Sequence, residues 1–231
     1  MKKQIKCMKD LKIFDCLNDD EKKEVVRLAR PRFFKKGESF FAEGSPCDAI
    51  YFIRTGRVLL YKISENGKEV GLDILQQDDI FGENTILEDV YHTFSAKALE
   101  DTFACICLRS DFFKLLNKPD IALKVIQDLT TKLNSYTEQM ANLAFNDVRG
   151  RILNILRRLV RKHGQITSEG IKININLSHQ DIANLVNASR VMVSNVLKNL
   201  RNEGKIIINQ KNFFLIDKEL IEEAKEYLSQ A

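Results

Sequence analysis

The sequence has no hydrophobic run long enough to cross a membrane. A spanning helix needs about 20 consecutive apolar residues, and the longest apolar stretches of this 231-residue chain fall far short of that length. The first residues, MKKQIKCMKDLKIFD, also lack the apolar core of a secretory signal peptide. We therefore expect a cytoplasmic protein without a membrane partner.

The sequence is also poor in the side-chain groupings that carry chemistry. Its five cysteines show no spacing typical of a disulfide framework, which fits a reducing compartment. It contains no metal-ligand cluster, no phosphate-cradling loop and no nucleophile elbow, and its three histidines are scattered. These absences argue against an enzyme and against a metal site.

Positive charge is concentrated in one part of the chain. The formal net charge is +4, but residues 145–216 hold 12 lysines and arginines against 4 acidic residues, close to +8. Residues 1–144 amount to −1 and residues 217–231 to −3. A charge run often marks only a solvated face. A basic segment is nevertheless what binding to a phosphate backbone requires.

The basic segment contains two short predicted helices around a tight turn. Residues 177–200 read LSHQDIANLVNASRVMVSNVLKNL. Ser178 can cap the first helix, with Asp181 completing an approximate capping box, and Ser189 can cap the second. Asn187 in the turn tolerates a left-handed backbone. The pattern is typical of a helix-turn-helix, whose second helix enters the major groove of DNA.

The two faces of these helices differ in chemistry. The apolar residues that should point inward are Ile182, Ala183, Leu185 and Val186 on the first helix and Met192, Val193, Val196, Leu197 and Leu200 on the second. The outer face of the second helix consists of Arg190, Val191, Ser194, Asn195 and Lys198. A plain helical hairpin would share the inner pattern, but side chains able to read bases, without an acidic residue, favour DNA binding.

The first half of the chain predicts a β-structure. A short amphipathic helix over residues 19–30 is followed by short strands separated by glycine-bearing turns, among them residues 49–56, 57–63, 69–75 and 103–108. Asn66-Gly67 is a strong hairpin signal. Many short strands at regular spacing imply a closed antiparallel sandwich or barrel.

A coiled-coil seam follows. Between Pro119 and Phe145, apolar residues recur at spacings of 4, 3, 4, 3, 4 and 3, namely Ala122, Ile126, Leu129, Leu133, Tyr136, Met140 and Leu143. An ordinary globular helix would show a wider apolar stripe. The narrow seam predicts a parallel homodimer. Two-fold symmetry would place two recognition helices about 34 Å, or one DNA turn, apart.

Beyond the seam, Asn146, Asp147 and Gly150 interrupt the heptad. We interpret residues Phe145, Asn146 and Asp147 as a hinge, with Asp147 capping a further helix that extends to about residue 162. Strict alternation predicts a strand over residues 171–177. Residues 205–216 predict a β-hairpin that turns at residues 210–211, as in the wing of a winged helix, and residues 217–230 predict a final helix.

These elements in this order resemble the Crp/Fnr family of bacterial transcription regulators over nearly the whole chain. The segments KKGESFFAEGSPCDAIYFIRTGRVLLYK and NGKEVGLDILQQDDIFGE are similar to the two halves of the family's β-roll. NLAFNDVRGRI is similar to its hinge, and SRVMVSNVLKNL to its recognition helix. The resemblance implies an α+β fold with a jelly-roll (double-stranded β-helix) sensor domain at 1–118, a dimerisation helix at 119–145 and a winged helix-turn-helix DNA-binding domain at 146–231.

The resemblance also implies roles in DNA recognition. Arg190 should contact guanine O6/N7. The family often has Glu after this Arg and Arg at the place of Asn195, so Val191 and Asn195 are departures. Val191 can contact a thymine methyl group or be only a tolerated surface residue, and Asn195 can pair with adenine. We therefore expect a palindromic operator whose half-site is richer in A/T than the family's common one, read by Arg190, Val191, Ser194 and Asn195.

Other residues should contact the phosphate backbone, which positions the protein without specifying sequence. We assign this role to Ser178, Gln180, Ser189, Lys198, Arg201 and Lys205. Double-stranded DNA is thus the expected partner, with RNA polymerase as a second partner if the protein is an activator. A DNA-architectural protein without transcriptional output is an alternative that these residues leave open.

The sensor domain departs from the members that bind cyclic AMP. In those members a Gly-Glu pair, which binds the ribose, is followed by Arg-Ser, which binds the cyclic phosphate. This chain has Gly82-Glu83 but Thr93 or Phe94 in place of the Arg, before Ser95, and no Lys or Arg between Glu83 and Ser95. Tyr136 and Thr137 stand where those members present two hydroxyl residues to the purine, and Tyr136 would crowd that space. We therefore expect a different small organic effector, held by Gly82, Glu83, Phe94, Ser95, Tyr136 and Thr137.

The sequence also bears on three other types of sensor. An iron–sulfur cluster needs four thiolates, whereas Cys7 and Cys16 are the only cysteines near the N-terminus. A thiol switch could use Cys105 and Cys107, although such residues are more often small core hydrophobes, or it could use Cys7 and Cys16. A haem sensor needs an axial ligand, and His92 lies in the loop that should close the pocket, where a lone histidine is usually exposed. A redox or haem-based gas sensor of the same family is the alternative function.

Overall fold

The computed structural model describes residues 10–87, 91–167, 170–175, 177–209 and 212–215. The chain forms two compact units, the first ending at Asn134 and the second beginning at Ser135. No helix in these described ranges combines the length and the apolar character that a membrane crossing requires.

The first unit is an antiparallel β-structure with helices at both ends of its sequence. It begins with a 3-10 helix, Lys12–Phe14, and α1, Asp19–Leu28. The strands are β1 Arg30–Phe34, β2 Ser39–Phe41, β3 Ala49–Thr55, β4 Val58–Ile63, β5 Glu69–Leu75, β6 Ile80–Phe81, β7 Ser95–Ala98 and β8 Thr102–Leu108. A second 3-10 helix, Glu83–Ile86, follows β6, and α2 Arg109–Leu116 and the first part of α3 Pro119–Phe145 follow β8.

The eight strands form two four-stranded sheets, in the orders β1-β8-β3-β6 and β2-β7-β4-β5. Their pairings are antiparallel. The hairpin between β4 and β5 turns at Gly67, which has a φ of 78°. The predicted jelly-roll sandwich is therefore confirmed.

Strand β3 is buried on both faces because its sequence, AIYFIRT, is apolar at nearly every position. Successive side chains of a strand point to opposite faces. Ile50 and Phe52 join a core with helical residues such as Phe112. Tyr51 and Ile53 join the second core, which also takes residues from both sheets. The first sheet is thus covered by the helices on one side and by the second sheet on the other.

The second unit contains the end of α3 and a smaller α/β arrangement. Its elements are α4 Val148–His163, β9 Gly164–Thr167, β10 Gly170–Ile173, α5 His179–Leu185, α6 Arg190–Asn202, β11 Ile206–Asn209 and β12 Asn212–Leu215. The strands form an antiparallel sheet in the order β11-β12-β10-β9. The predicted wing hairpin is confirmed, while its turn at residues 210–211 and the predicted final helix lie outside the described residues.

Several predicted elements match closely, including the bounds of the seam helix α3 and of β5, and Asp147 as the N-cap of α4. The predicted strand over residues 171–177 was too long. Strand β10 ends at Ile173, and the backbone N–H of Asn174 donates to the carbonyl of His163 at 2.8 Å. Ile175 and Leu177 are nevertheless buried. The alternation therefore predicted burial correctly as far as Leu177 but strand pairing only as far as Ile173.

The helix predicted over residues 19–30 ends earlier, at Leu28. Ala29 is already extended, with φ −87° and ψ 130°, and Arg30 pairs with Ile106 in the sheet. Helix α2 and strand β9 were not predicted, and the strands β1, β2, β6 and β7 fall in the region predicted as short strands but were not given individual bounds. These segments are too short or too irregular in pattern to show a period.

Candidate DNA interface and effector site

The two helices around the predicted turn are capped as the sequence indicated. Ser178 Oγ accepts a hydrogen bond from the backbone N–H of Asp181 at 3.1 Å, and the Asp181 carboxylate accepts one from the Ser178 N–H at 2.8 Å. Ser189 caps α6 by accepting from the Met192 N–H at 3.2 Å. Asn187 adopts a left-handed backbone with φ 50°. The helix-turn-helix is therefore formed by local interactions that the sequence specifies.

The inner faces of α5 and α6 pack largely as predicted, although Leu185 and Val196 are only half-buried and Met192 is exposed. Ile182, Ala183 and Val186 are buried on the first helix side, and Val193, Leu197 and Leu200 on the second. Met192 was expected inside, but 47% of it is exposed. Successive residues of an α-helix are rotated by about 100° about the helix axis. Met192 therefore lies to one side of the buried stripe that contains Val193 and Leu197.

The outer face of α6 presents the predicted base-reading set. Arg190, Val191, Asn195 and Lys198 are exposed, and Val191 is 68% exposed. Helix α6, RVMVSNVLKNLRN, contains no acidic residue. Ser194 is half-buried, and its hydroxyl oxygen lies 2.8 Å from Nδ1 of His179 on α5.

The predicted phosphate contacts fall into two groups. The hydroxyls of Ser178 and Ser189 serve the two caps. Exposed Gln180 donates to the Asn184 side chain at 2.8 Å. The predicted basic contacts are exposed at Lys198 and Arg201 and half-buried at Lys205.

Two arginines of α4 attach that helix to the helix-turn-helix. Arg151 Nη1 donates to the carbonyl of Val186, in the turn, at 2.9 Å. Arg149 donates twice to the Glu203 carboxylate, at 2.8 and 2.5 Å, just after α6 ends. These hydrogen bonds lower the pKa of Glu203 and raise that of Arg149. The sequence analysis missed both contacts, since nothing local signals them.

The predicted hinge coincides with the break between α3 and α4. Phe145 is the last residue of α3 and 86% exposed, and Asp147 caps α4 by accepting from the Gly150 N–H at 2.7 Å. Asn146 donates from its side chain to that of Asn142 at 3.0 Å. The junction is thus a short break held by side-chain amides.

Helix α3 carries two apolar stripes. Ile121 and Val125 are buried in the core of the first unit. The predicted seam lies elsewhere, and its large apolar residues are exposed in the single chain at Ile126, Leu129, Leu133, Met140 and Leu143, while Tyr136 is half-buried. Leu133 is 65% exposed and Met140 71%.

The candidate effector site begins at a constrained glycine. Gly82 has a φ of 86°, and a Cβ atom there would lie 2.7 Å from the carbonyl oxygen of Ala49. The following residue, Glu83, starts a 3-10 helix. Only glycine satisfies both the conformation and the close approach.

Glu83 is paired with a lysine that the sequence analysis did not identify. Lys132 Nζ, on α3, lies 3.1 Å from Glu83 Oε1 and 2.9 Å from the Asp128 carboxylate. It also donates to the carbonyl of Ile80 at 2.7 Å. Burial disfavours its charge, but the two carboxylates outweigh burial and raise the pKa of Lys132.

The other carboxylate oxygen, Glu83 Oε2, is buried and has no hydrogen-bond partner among the described residues. The group of Glu83, Asp128 and Lys132 contains two carboxylates and one ammonium. At neutral pH its net charge is therefore negative.

The remaining predicted effector residues are distributed over both units. Phe94 is half-buried, with its ring centroid 5.8 Å from that of Phe41, and Ser95 is buried and accepts from the Glu43 N–H at 2.9 Å. Tyr136 and Thr137 belong to the second unit. Their grouping with Gly82 and Glu83 stays a prediction.

Comparison with known proteins identifies two domains. The cyclic nucleotide-binding domain model matches residues 31–118, and the Crp-like helix-turn-helix domain model matches residues 150–224. The cAMP-activated global transcriptional regulator CRP of Salmonella typhimurium is 30% identical over 174 residues, covering 73% of this chain and 81% of that protein. The chain belongs to the Crp/Fnr family of transcription regulators.

Other members of the Crp/Fnr family show the same extent of similarity. The CRP-like cAMP-activated global transcriptional regulator of Mycobacterium tuberculosis is 28% identical over 197 residues, which are 84% of this chain and 88% of that one. The solved structure of a CooA variant from Carboxydothermus hydrogenoformans has a TM-score of 0.75 at 23% identity and covers 97% of this chain and 98% of its own. That structure supports the fold.

The cysteines of this Crp/Fnr member lie mostly in apolar surroundings. Cys105 and Cys107 belong to the core between the first sheet and the helices. Burial raises the pKa of the Cys107 thiol to about 12 and that of the Cys47 thiol to about 11. Cys16 is exposed. Cys7 lies outside the described residues, and within them no group of three or more His, Cys, Asp or Glu residues could hold a metal ion.

Proposed function

We propose that the protein is a homodimeric transcription regulator that binds a palindromic operator through α6 and responds to a small effector other than cyclic AMP. The exposed face of α6 carries this proposal. Arg190, Asn195 and Lys198 stand exposed on a helix without acidic residues, above a buried apolar face. A helix of this kind suits the major groove, where guanidinium and amide groups distinguish bases.

The residues of α6 divide by role. Arg190 contacts guanine O6/N7, Val191 contacts a thymine methyl group and Asn195 pairs with adenine N6/N7. Lys198 and Arg201 contact phosphates. The half-site is therefore richer in A/T than one read by the Glu and Arg that the family often has at positions 191 and 195.

Selection of double-stranded DNA from a random-sequence library tests this part of the proposal. We expect an enriched palindrome with a guanine opposite Arg190. Arg190→Ala should cost about 1–3 kcal/mol and relax the preference at that guanine, whereas Lys198→Gln should weaken binding to all sequences alike and reduce the salt slope by about 1. Enrichment of the family's common Glu-type half-site, or of no sequence, would overturn it.

The homodimer is supported by the seam on α3. Five large apolar residues at heptad positions are exposed in the single chain, although Ile121 and Val125 of the same helix are buried in the first unit. Apolar surface of this pattern is covered when a second copy pairs along the helix. The dimer helix, residues 119–145, then lies between a sensor domain at 1–118 and a DNA-binding domain at 146–231.

The choice of effector rests on charge. The relatives from Salmonella typhimurium and Mycobacterium tuberculosis are named as cAMP-activated. In this chain Lys132, the cation next to Glu83, is already neutralised by two carboxylates. No Lys or Arg occurs between Glu83 and Ser95. These residues therefore offer no unpaired cation to a cyclic phosphate, and they do not fit cyclic AMP.

The effector part is tested by three measurements on the purified protein: operator affinity with and without cyclic AMP, the heat released when cyclic AMP is added, and the native mass. We expect cyclic AMP to leave the operator affinity unchanged and to release no heat of binding. We expect a retained non-nucleotide ligand to appear as a mass increment. A micromolar cyclic AMP complex with raised operator affinity would contradict the proposal. Coupling of about 1–3 kcal/mol between the true effector and DNA is typical of such regulators.

The alternative function, a thiol or haem-based sensor of the same family, draws less support from the site. A thiol switch requires accessible thiolates, whereas Cys105 and Cys107 are buried. Of the other pair, Cys16 is exposed and Cys7 lies outside the described residues. His92, the candidate axial ligand, is also buried and stacks on Phe41. An absorbance spectrum of the purified protein would reveal haem at once and decide for this alternative.

A further inference from the structure

A hydrogen bond connects the two helices of the helix-turn-helix at the face assigned to DNA. His179, the first residue of α5, places Nδ1 2.8 Å from Ser194 Oγ on α6. Arg190 lies one helical turn before Ser194 and Lys198 one turn after it. Both flanking residues are exposed, so the histidine reaches a hydroxyl in the middle of the base-reading face.

The direction of this hydrogen bond determines what Ser194 offers to a base. A hydroxyl has one donor and two acceptor sites. If His179 Nδ1 carries a proton, Ser194 Oγ accepts from it and the Ser194 O–H is available to a base acceptor, such as guanine O6 or thymine O4. If Nδ1 is bare, the Ser194 O–H donates to it. Only lone pairs then remain, which suit the amino groups of adenine and cytosine.

We propose that His179 is a specificity-determining positioning residue: it sets whether Ser194 donates to or accepts from a base, and its protonation selects the donating form. The inference rests on the proposed placement of α6 in the major groove. His179 acts through Ser194, which touches the base. The sequence alone does not predict this contact, because His179 and Ser194 are 15 positions apart.

Protonation is the variable because an imidazolium donates from both ring nitrogens. Histidine side chains change charge between about pH 5 and 8. The charged residues of α5 and α6 are Asp181, Arg190, Lys198 and Arg201, and Arg151 of α4 donates to the turn between these two helices. Asp181 is occupied by the cap with Ser178.

The test is selection of double-stranded DNA from a random library at pH 8 and at pH 6, with the full-length protein. We expect one symmetric pair of operator positions to change preference between the two pH values, by roughly fivefold in relative affinity, the scale of one hydrogen bond. At pH 6 the favoured base should present an acceptor to Ser194. The other positions should keep their preferences.

Two variants separate positioning from a merely structural role. His179→Phe keeps a ring but has no hydrogen-bonding nitrogen, and Ser194→Ala lacks the hydroxyl. Each should abolish the pH-dependent change at that position, while Asn202→Ala, a change at an exposed residue of α6 with no assigned DNA contact, should retain it. If His179→Phe weakens binding equally for all sequences yet retains the pH-dependent change, the inference is wrong.

The outcomes also separate the inference from the function on which it rests. A wild-type protein that enriches no sequence at either pH would contradict the proposed DNA recognition itself. A wild-type protein that enriches one operator with identical preferences at both pH values would leave DNA recognition intact and overturn only the role of His179.

Discussion

At the scale of single residues, burial decides the chemistry of several side chains that looked accessible in the sequence. His92 was expected in an exposed loop, but it is 3% exposed and stacks flat on Phe41, with ring centroids 3.5 Å apart. The backbone N–H of His92 donates to the carbonyl of Ser45 at 2.9 Å, and its backbone carbonyl accepts from the Gly44 N–H at 2.8 Å. The loop is therefore held by its own backbone around a buried imidazole, which burial makes harder to protonate.

This burial predicts a pH dependence of stability. Desolvation lowers the pKa of His92 below its ordinary value of 6.5, partly opposed by Asp48. A depressed pKa in the folded state contributes stability that is present above pH 6.5 and is lost as the pH falls below it. The thermal midpoint of the first unit should thus decrease when the pH is lowered from 7 to 5, and His92→Phe should make this decrease smaller.

Calorimetry of the wild-type protein and of His92→Phe at pH 7 and pH 5 measures this effect. The carboxylates are the same in both proteins, so their contribution cancels when the two changes in thermal midpoint are compared. His179→Gln, a histidine change in the second unit, serves as the control and should leave the pH dependence of the first unit unchanged. An equal fall for wild type and His92→Phe would show that His92 is protonated without cost.

The raised thiol pKa values predict slow alkylation. At pH 8 only a small fraction of Cys47 and Cys107 is thiolate, since burial raises their pKa values to about 11 and about 12. Iodoacetamide should modify exposed Cys16 in the native protein and leave Cys47 and Cys107 unmodified, as peptide mass spectrometry would show. Rapid labelling of Cys107 without unfolding would indicate that a thiol switch is feasible after all.

At the scale of helices and strands, the helix caps and the seam spacing were read correctly, whereas the alternation over residues 171–177 overstated the strand and contacts between distant residues were missed. The caps at Ser178 and Ser189 and the left-handed Asn187 follow from residues within three positions of each other. Helix α3 was predicted with its observed ends because the 4-3 spacing, from Ala122 to Leu143, lies between Pro119 and the heptad break at Asn146. Periodicity therefore predicts elements wherever one face is uniformly apolar.

The missing parts of the site come from pairs that are far apart in sequence. Lys132 meets Glu83 across 49 positions, and Arg149 meets Glu203 across 54. A single charged residue on a helix has the same local pattern whether it is solvated or buried against a carboxylate. Such partners could be recognised only after the fold brought the elements together.

The exposed seam on α3 leads to a prediction about association. Leu133→Asp introduces a charge where a second helix would pack and should convert the dimer to a monomer, with unchanged helix content. Asn134→Asp adds the same charge at the next exposed position, outside the seam, and should leave the dimer intact. Analytical ultracentrifugation and circular dichroism measure both effects. A dimer that persists in Leu133→Asp would place the interface elsewhere.

At the scale of the whole molecule, the proposed dimer turns one recognition helix into a pair related by two-fold symmetry. Binding through both helices restricts the spacing of the two half-sites to about 10 base pairs, or one DNA turn. The operator is then defined by distance as well as by sequence.

Inserting five base pairs at the centre of the selected operator would rotate one half-site by half a turn. Affinity should fall by at least roughly 10³-fold, toward non-specific binding. Substitution of the central base pairs without insertion is the matched control and should cost far less. Electrophoretic mobility shift with both DNAs provides the comparison, and equal affinities would mean that a single helix-turn-helix binds alone.

The contacts of Arg149 and Arg151 have a consequence for how such a regulator can diverge. They tie α4 to both ends of the recognition segment, at Glu203 and at Val186. Exposed positions such as Val191 and Asn195 carry no part of that attachment. With α6 in the major groove as proposed, descendants of this protein can therefore acquire a new operator by exchanging those surface residues without loosening the attachment of α4.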